Sequence, residues 1–155
     1  MKRTLLSGIG ALGTALLFVS CHKQDCGACF SPPQPLKIAL IAAQTGDNLL
    51  NAAPYHPDSV QLFYVKDSRQ VKVPFKVMPY AGLGPVIHSS DLSWLSLSDA
   101  HTFYLYLNQN DTDTLYVKTV AKSSDCCTSH PLESFLVNGE QVPQDRGTDV
   151  YTVEK

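Results

Sequence analysis

From Leu36 onward, hydrophobic and polar residues alternate with a period of two rather than the three and a half of a helix. In VKVPFKV, Val71, Val73, Phe75 and Val77 share one face while Lys72, Pro74 and Lys76 share the other, as in a half-buried strand. Pro74 has no N–H to donate, which places that strand at a sheet edge or a bulge. Alternating or β-rich segments recur: LKIALIAA (36–43), SVQLFYVK (59–66), VKVPFKVM (71–78), TFYLYLN (102–108), DTLYVKTVA (113–121), ESFLVNG (133–139) and DVYTV (149–153). The intervening TGDN, AAPYHPD, YAGLGP, NQND and PQDRG are turn or loop clusters. Asn138-Gly139 predicts a type I′ hairpin turn, because both residues tolerate positive φ. DLSWLSLSDAH (91–101) fits a strand or a single helical turn. About seven short strands and no long helix predict an all-β fold, an antiparallel β-sandwich over residues 36–155. A barrel of similar strand count is the alternative.

The same pattern sets a register, since a slip of one residue turns every side chain over. Pairing Leu107 with Leu115 and Leu105 with Val117 gathers the aliphatics on the core face and leaves Asn110-Asp111-Thr112 as the tip. The opposite face then sets Tyr106 against Tyr116 and Tyr104 against Lys118. Tyr104, Tyr106 and Tyr116 form a candidate binding face for glycan rings or a protein partner. The favoured reading is simpler: these are cross-strand pairs, each contributing a few tenths to about 1 kcal/mol.

The first thirty-five residues follow another logic. Met1-Lys2-Arg3 is basic, and Leu5 to Val19 is uncharged but shorter than the roughly 20 apolar residues of a spanning helix. The run stops at Leu17-Phe18-Val19-Ser20-Cys21, which resembles a bacterial lipobox with Phe18 where Leu is usual. This predicts a lipoprotein signal peptide over 1–20, cleavage before Cys21, and acylation (palmitate or similar chains) of its thiol. One acyl chain binds a membrane only marginally, whereas the several chains of a bacterial lipoprotein hold firmly. Residues 21–35, ending in SPPQP, read as an extended, semi-rigid tether. His22 rather than Asp follows Cys21, which by analogy with proteobacterial sorting points to the outer membrane. HKQD is a partial match to signals for the cell surface, so the periplasmic and outer faces both remain open.

Charge narrows the partners. Loss of Lys2 and Arg3 with the leader leaves 10 of 12 basic residues against 14 acidic ones, which offers no footprint for nucleic acid. No cofactor motif, phosphate loop or metalloprotease signature is present. His22, His56, His88, His101 and His130 are scattered, and contiguous His56-Pro57-Asp58-Ser59 cannot converge as a triad does. NQNDTD (108–113) is dense in oxygen ligands but lacks the glycine and distal glutamate of a calcium loop, so it reads as a tight turn rather than a metal site.

Of the five cysteines, Cys21 is committed to lipid, leaving Cys26, Cys29, Cys126 and Cys127. A bridge between adjacent residues is strained, which favours pairing across the chain. Cys29, nearest the body, is expected to bridge to Cys126 or Cys127. The Cys26-Gly27-Ala28-Cys29 spacing also fits a thiol redox motif, and the four cysteines together fit a zinc site. Both are less favoured, since the first lacks a βαβ context and an oxidising envelope favours bridges.

Cys29 to Pro33, Thr45 to Leu49, Asp113 to Leu115, Cys126-Cys127 and Asn138-Gly139 together resemble a pattern shared by a group of small Bacteroidota envelope lipoproteins. The resemblance implies an immunoglobulin-like or transthyretin-like sandwich on the cell envelope, and no activity. Asp58-Ser59-Val60 and Asp113-Thr114-Leu115 both resemble the three-residue O-glycosylation signal of Bacteroidota envelope proteins, which would make Ser59 and Thr114 the acceptors. The expectation is a lipid-anchored, non-enzymatic envelope protein with a binding or structural role and an envelope protein or glycan as partner.

Overall fold

The computed structural model describes residues 29–51, 53–98, 100–124 and 127–155. The expected leader, Cys21, Cys26, Cys126 and the tether as far as residue 28 lie outside these. The described residues form an all-β sandwich. One sheet has six strands in the order β12-β11-β8-β7-β3-β4. These are β3 (Gln61–Lys66), β4 (Arg69–Lys72), β7 (Thr102–Asn108), β8 (Asp111–Thr119), β11 (Leu132–Val137) and β12 (Glu140–Gln141). The facing sheet has order β13-β2-β6-β5, from β2 (Leu36–Ile41), β5 (Lys76–Tyr80), β6 (Gly84–Ser89) and β13 (Tyr151–Glu154). A small third sheet joins β1 (Cys29–Phe30), β10 (Cys127–Ser129) and β9 (Lys122–Ser123). Among the described residues no helix is long and apolar enough to cross a membrane.

Alternation explains the layers. Phe103, Leu105 and Leu107 of β7, with Leu115 and Val117 of β8, point inward and are fully buried. They meet Ile38, Leu40 and Ile87 from the other sheet in one continuous core. Phe135 of β11 packs edge-on against Tyr151 of β13 at 4.8 Å, across the gap between sheets. Each such side chain contributes about 1.5–3 kcal/mol by leaving water.

Several expected elements are corrected. Segment 71–78 is not one strand: β4 ends at Lys72, and β5 begins at Lys76 in the opposite sheet. Pro74 lies in that crossing, where its missing N–H leaves no ladder bond unmade, and its carbonyl accepts from the Ser89 hydroxyl at 2.7 Å. Gly84-Pro85, read as the end of a loop, begin β6, which runs on through residues left unassigned. Gly84 takes φ 74° to enter it, and Pro85 stands opposite Pro79, where neither residue has an N–H to give. The segment 91–101 opens as a helix, α1 (Ser90–Leu95), whose Leu92 N–H donates to the Ser89 side chain. The sheets are not wholly antiparallel, since β13 runs parallel to β2 and β1 parallel to β10. From Cys29 the segment read as tether is docked on the body: Phe30 pairs with Thr128, and Pro33 is buried.

Two turns behave as their residues require. Asn138 and Gly139 have φ of 53° and 87°, as a type I′ hairpin demands. In the 45–51 loop, buried Asn48 donates to the Leu83 and Pro85 carbonyls at 2.6 and 2.8 Å and accepts from the Leu50 N–H. That clamps the loop to the β5–β6 hairpin.

The β7–β8 register departs from expectation by four positions in pairing sum. Leu105 faces Asp113, Phe103 faces Leu115, and the tip is Gln109-Asn110 with a bulge beside it. An even shift keeps every side chain on its expected face, so only the partners change. Asp113 shares that inward face and sits in the core at 3% exposure. The Lys155 ammonium lies 2.9 Å from each of its oxygens and 2.6 Å from Asp111, and the Asn138 amide donates to it at 2.8 Å. Lys155 is held there by backbone bonds with Ile41 and Ala43 of the β2 edge.

Burial alone pulls the Lys155 pKa down, but the hydrogen bonds it donates to Asp111 and Asp113 outweigh it and hold the pKa above the ordinary lysine value. Removing one partner of a buried pair strands the other, at about 3–5 kcal/mol. Lys155→Met is therefore expected to destabilise the fold by about that much in urea unfolding at neutral pH. The double variant Lys155→Met/Asp113→Asn should recover part of it, since the most deeply buried carboxylate is then neutral and only the more exposed Asp111 stays unpaired. Because the folded pKa is raised, the stabilisation is complete below the ordinary value of 10.5 and is lost as pH rises through the folded value. An unfolding profile that is flat in this range, or equal in the lysine variant, would contradict the assignment.

Candidate functional site

Cys29 and Cys127 are joined by a disulfide between residues 98 apart. Of the two partners left open by the sequence, Cys127 is the one used. Pairing of Cys29 with Cys127 across β1 and β10 brings their Cα atoms to 4.8 Å, within the range a bridge needs. A bridge closing about 100 residues stabilises by roughly 4–5 kcal/mol through lost chain entropy, with measured values often lower. Cys29→Ser/Cys127→Ser should accordingly lose about 2–5 kcal/mol in denaturant, and a change within error would show that the bridge adds nothing to stability.

Beside the bridge is an aromatic cluster that sequence reasoning missed. Phe30, Trp94 of α1 and His130 meet at ring distances of 5.5–6.2 Å. Phe30 and Trp94 are two of the large hydrophobic side chains left exposed. Phe30 next to Cys29 was the one visible hint; Trp94 lay in a segment whose structure the pattern did not resolve.

The outer face of the six-stranded sheet carries the candidate tyrosines. Tyr104, Tyr106 and Tyr116 do share that face, but opposite threonines: Thr114, Thr112 and Thr102 respectively. The expected Tyr106–Tyr116 and Tyr104–Lys118 pairs are not formed, for the register reason given above. Tyr104 instead stacks on Phe63 of β3 at 5.3 Å with an interplanar angle of 21°. Lys118 pairs with Glu133, which lowers the glutamate pKa through the hydrogen bond. Tyr116 lies beside His101, with ring centroids 6.0 Å apart. A ring already stacked on a neighbour has one face left for a ligand. Replacing Tyr104 and Tyr106 with Ser is therefore expected to leave binding to envelope glycans unchanged in a glycan pull-down; lost capture would make this face a ligand platform.

The other candidate groups do not converge. Ser59 donates to the His56 and Leu107 carbonyls at 2.8 and 3.1 Å rather than to an imidazole. His56 and Asp58 are 3.9 Å apart and solvent-exposed. His88 has its pKa lowered by burial and by Lys37 and Lys76 nearby, and it touches no nucleophile–base arrangement. Asp111 and Asp113 of the NQNDTD segment spend their carboxylates on Lys155. Among the described residues no three His, Cys, Asp or Glu side chains gather as metal ligands would.

Ser59 and Thr114 differ as acceptors. The Ser59 hydroxyl is engaged and half-buried, whereas Thr114 is exposed on the outer sheet face. Peptide mapping of protein from its native host should find any O-glycan on Thr114 and none on Ser59; the reverse would contradict the accessibility argument. No protein-family profile, curated protein or solved structure matches the chain.

Proposed function

We propose that the protein is a lipid-anchored module of the bacterial cell envelope, held by acylated Cys21, whose β-sandwich has a non-catalytic binding or structural role. The observation that carries this reading is the Cys29–Cys127 bridge, eight residues beyond Cys21. Disulfides form and persist outside the reducing cytoplasm, which agrees with an export signal ending at Cys21. The bridge also transmits the pull of the anchor directly into the sandwich, as suits a body fixed at one end. The outer membrane is the membrane proposed, from the residue that follows Cys21, and an envelope protein or glycan is the proposed partner.

The rival thiol chemistry is disfavoured by the same bridge. Joining Cys29 to Cys127 removes one thiol from the Cys26–Cys29 pair and one from the Cys126–Cys127 pair. A redox motif needs its own two sulfurs, and a four-cysteine zinc site needs four thiolates. For acyl transfer, the required contact between a nucleophile and a base is also missing at Ser59.

Cys21→Ala is expected to move the protein from the membrane pellet to the soluble fraction of fractionated cells. The intact mass of the native protein should start at Cys21 and exceed the polypeptide mass by its acyl chains. Continued membrane association of the alanine variant, or an unacylated mass, would refute the anchor.

A further inference from the structure

The Phe30–Trp94–His130 cluster is an apolar surface that the fold builds and then leaves in water. Phe30 is 62% and Trp94 45% exposed, yet their rings stack at 6.1 Å with an interplanar angle of 19°. Three segments are pinned to make it. The disulfide and the β1–β10 pairing hold Phe30. His130 Nδ1 is hydrogen-bonded to the Ser31 carbonyl at 2.7 Å, and Ser93 fastens α1 by donating to the Gln34 carbonyl at 2.7 Å. Exposed aromatic groups on a rigid base mark a surface that something covers.

We infer that this cluster is a membrane-contact patch, which seats the domain on the interface of the bilayer holding the Cys21 lipid. The inference rests on the lipid-anchor reading, and the reach of the chain selects the occupant. Phe30 follows Cys21 by nine residues, so even a fully extended chain keeps it within roughly 30–32 Å of the anchored residue. The cluster is thus delivered close to the bilayer by the anchor, and it stays at high local concentration there. Its chemistry suits the depth: Trp rings concentrate where apolar tails meet head groups, with the indole N–H still wet. The three strands beside it carry Lys122 as their one charged side chain, and α1 adds the exposed Asp91 one turn before Trp94, so opposite charges flank the rings and the apolar contact is what seats the patch.

Contact at this point would orient the whole sandwich. Ser96, just after α1, bonds Thr119 at 2.7 Å, so the cluster lies at the Thr119 end of β8. The Lys155–Asp113 pair and the Asn138-Gly139 turn lie at the opposite end. The patch therefore faces the turn away from the membrane and stops the body from tumbling on its tether.

Trp94 is the only tryptophan in the chain, so its fluorescence reports on the patch alone. The mature chain from His22, carrying an N-terminal hexahistidine in place of the lipidated cysteine, is tethered to phosphatidylethanolamine–phosphatidylglycerol vesicles through a nickel-chelating lipid. Tethering is expected to shift Trp94 emission to the blue, and lipids brominated near the head group should quench it relative to unbrominated vesicles. Phe30→Glu, which is tethered to the vesicles through the same tag, should lose both effects. Water-like emission unaffected by brominated lipid would overturn the inference, as would quenching that survives in Phe30→Glu. A blue shift that grows with protein concentration without vesicles would assign the cluster to a second copy of the chain and overturn it too. Since the tag replaces the lipid, the result does not depend on acylation of Cys21, which the native mass decides separately.

Discussion

Asp113 places a carboxylate between the two sheets of the sandwich, where an unpaired charge would cost several kcal/mol. The fold meets that cost with Lys155 astride both oxygens and the Asn138 amide from the neighbouring hairpin. Three distant segments are committed by this one group. Asp113 belongs to the six-stranded sheet, Lys155 continues β13 of the other sheet, and Asn138 is the first residue of the β11–β12 turn. The pair therefore closes one end of the sandwich. Along the same strand, Leu105 of β7 faces Asp113 and the β7–β8 turn is Gln109-Asn110. What the outer sheet face displays follows from that register: tyrosines opposite threonines, with Tyr104 free to lie on Phe63.

The other end is closed covalently. The Cys29–Cys127 bridge pins β1 to β10, and buried Pro33 carries the chain into β2. Helix α1 packs over this end and is tied to the core by Ser96–Thr119 and to the entering chain by Ser93–Gln34. Polar closure at one end and disulfide closure at the other give the sandwich two chemically different poles. The exposed aromatic groups collect at the disulfide pole, where the chain leading back to Cys21 enters. A domain held at that pole meets its surroundings with the polar pole and the broad face of the six-stranded sheet.

Much of the fold was legible because alternation is local. A period of two in VKVPFKV or TFYLYLN states which side chains face the core, whatever strand lies alongside. Asn138-Gly139 likewise named its own turn, and the cysteine positions named Cys29 as a bridge partner. Where neighbouring signals overlapped, reading failed. YAGLGP looked like loop all through because Gly84 and Pro85 start β6, and Pro74 marked a crossing between sheets rather than a blemish in one strand. Asp67-Ser68 turned a hairpin with positive φ at both residues, without the glycine that usually announces one.

By itself, the sequence determined the class of fold, the inward and outward faces of its main strands, the cysteine at which the N-terminal pattern changes, and the limited choice of bridges. Tertiary structure alone decided which strand neighbours which, the pairing of β7 with β8, the choice of Cys127, and the meeting of Phe30, Trp94 and His130. The division has a physical cause. Side-chain alternation and turn preference are set by residues a few positions apart, whereas a buried charge is tolerated only if its partner arrives from elsewhere. Lys155 lies 42 residues from Asp113, and no local pattern around either announces the other. Phe30, Trp94 and His130 are brought together by a disulfide and two hydrogen bonds, each of which exists only once the sandwich has closed.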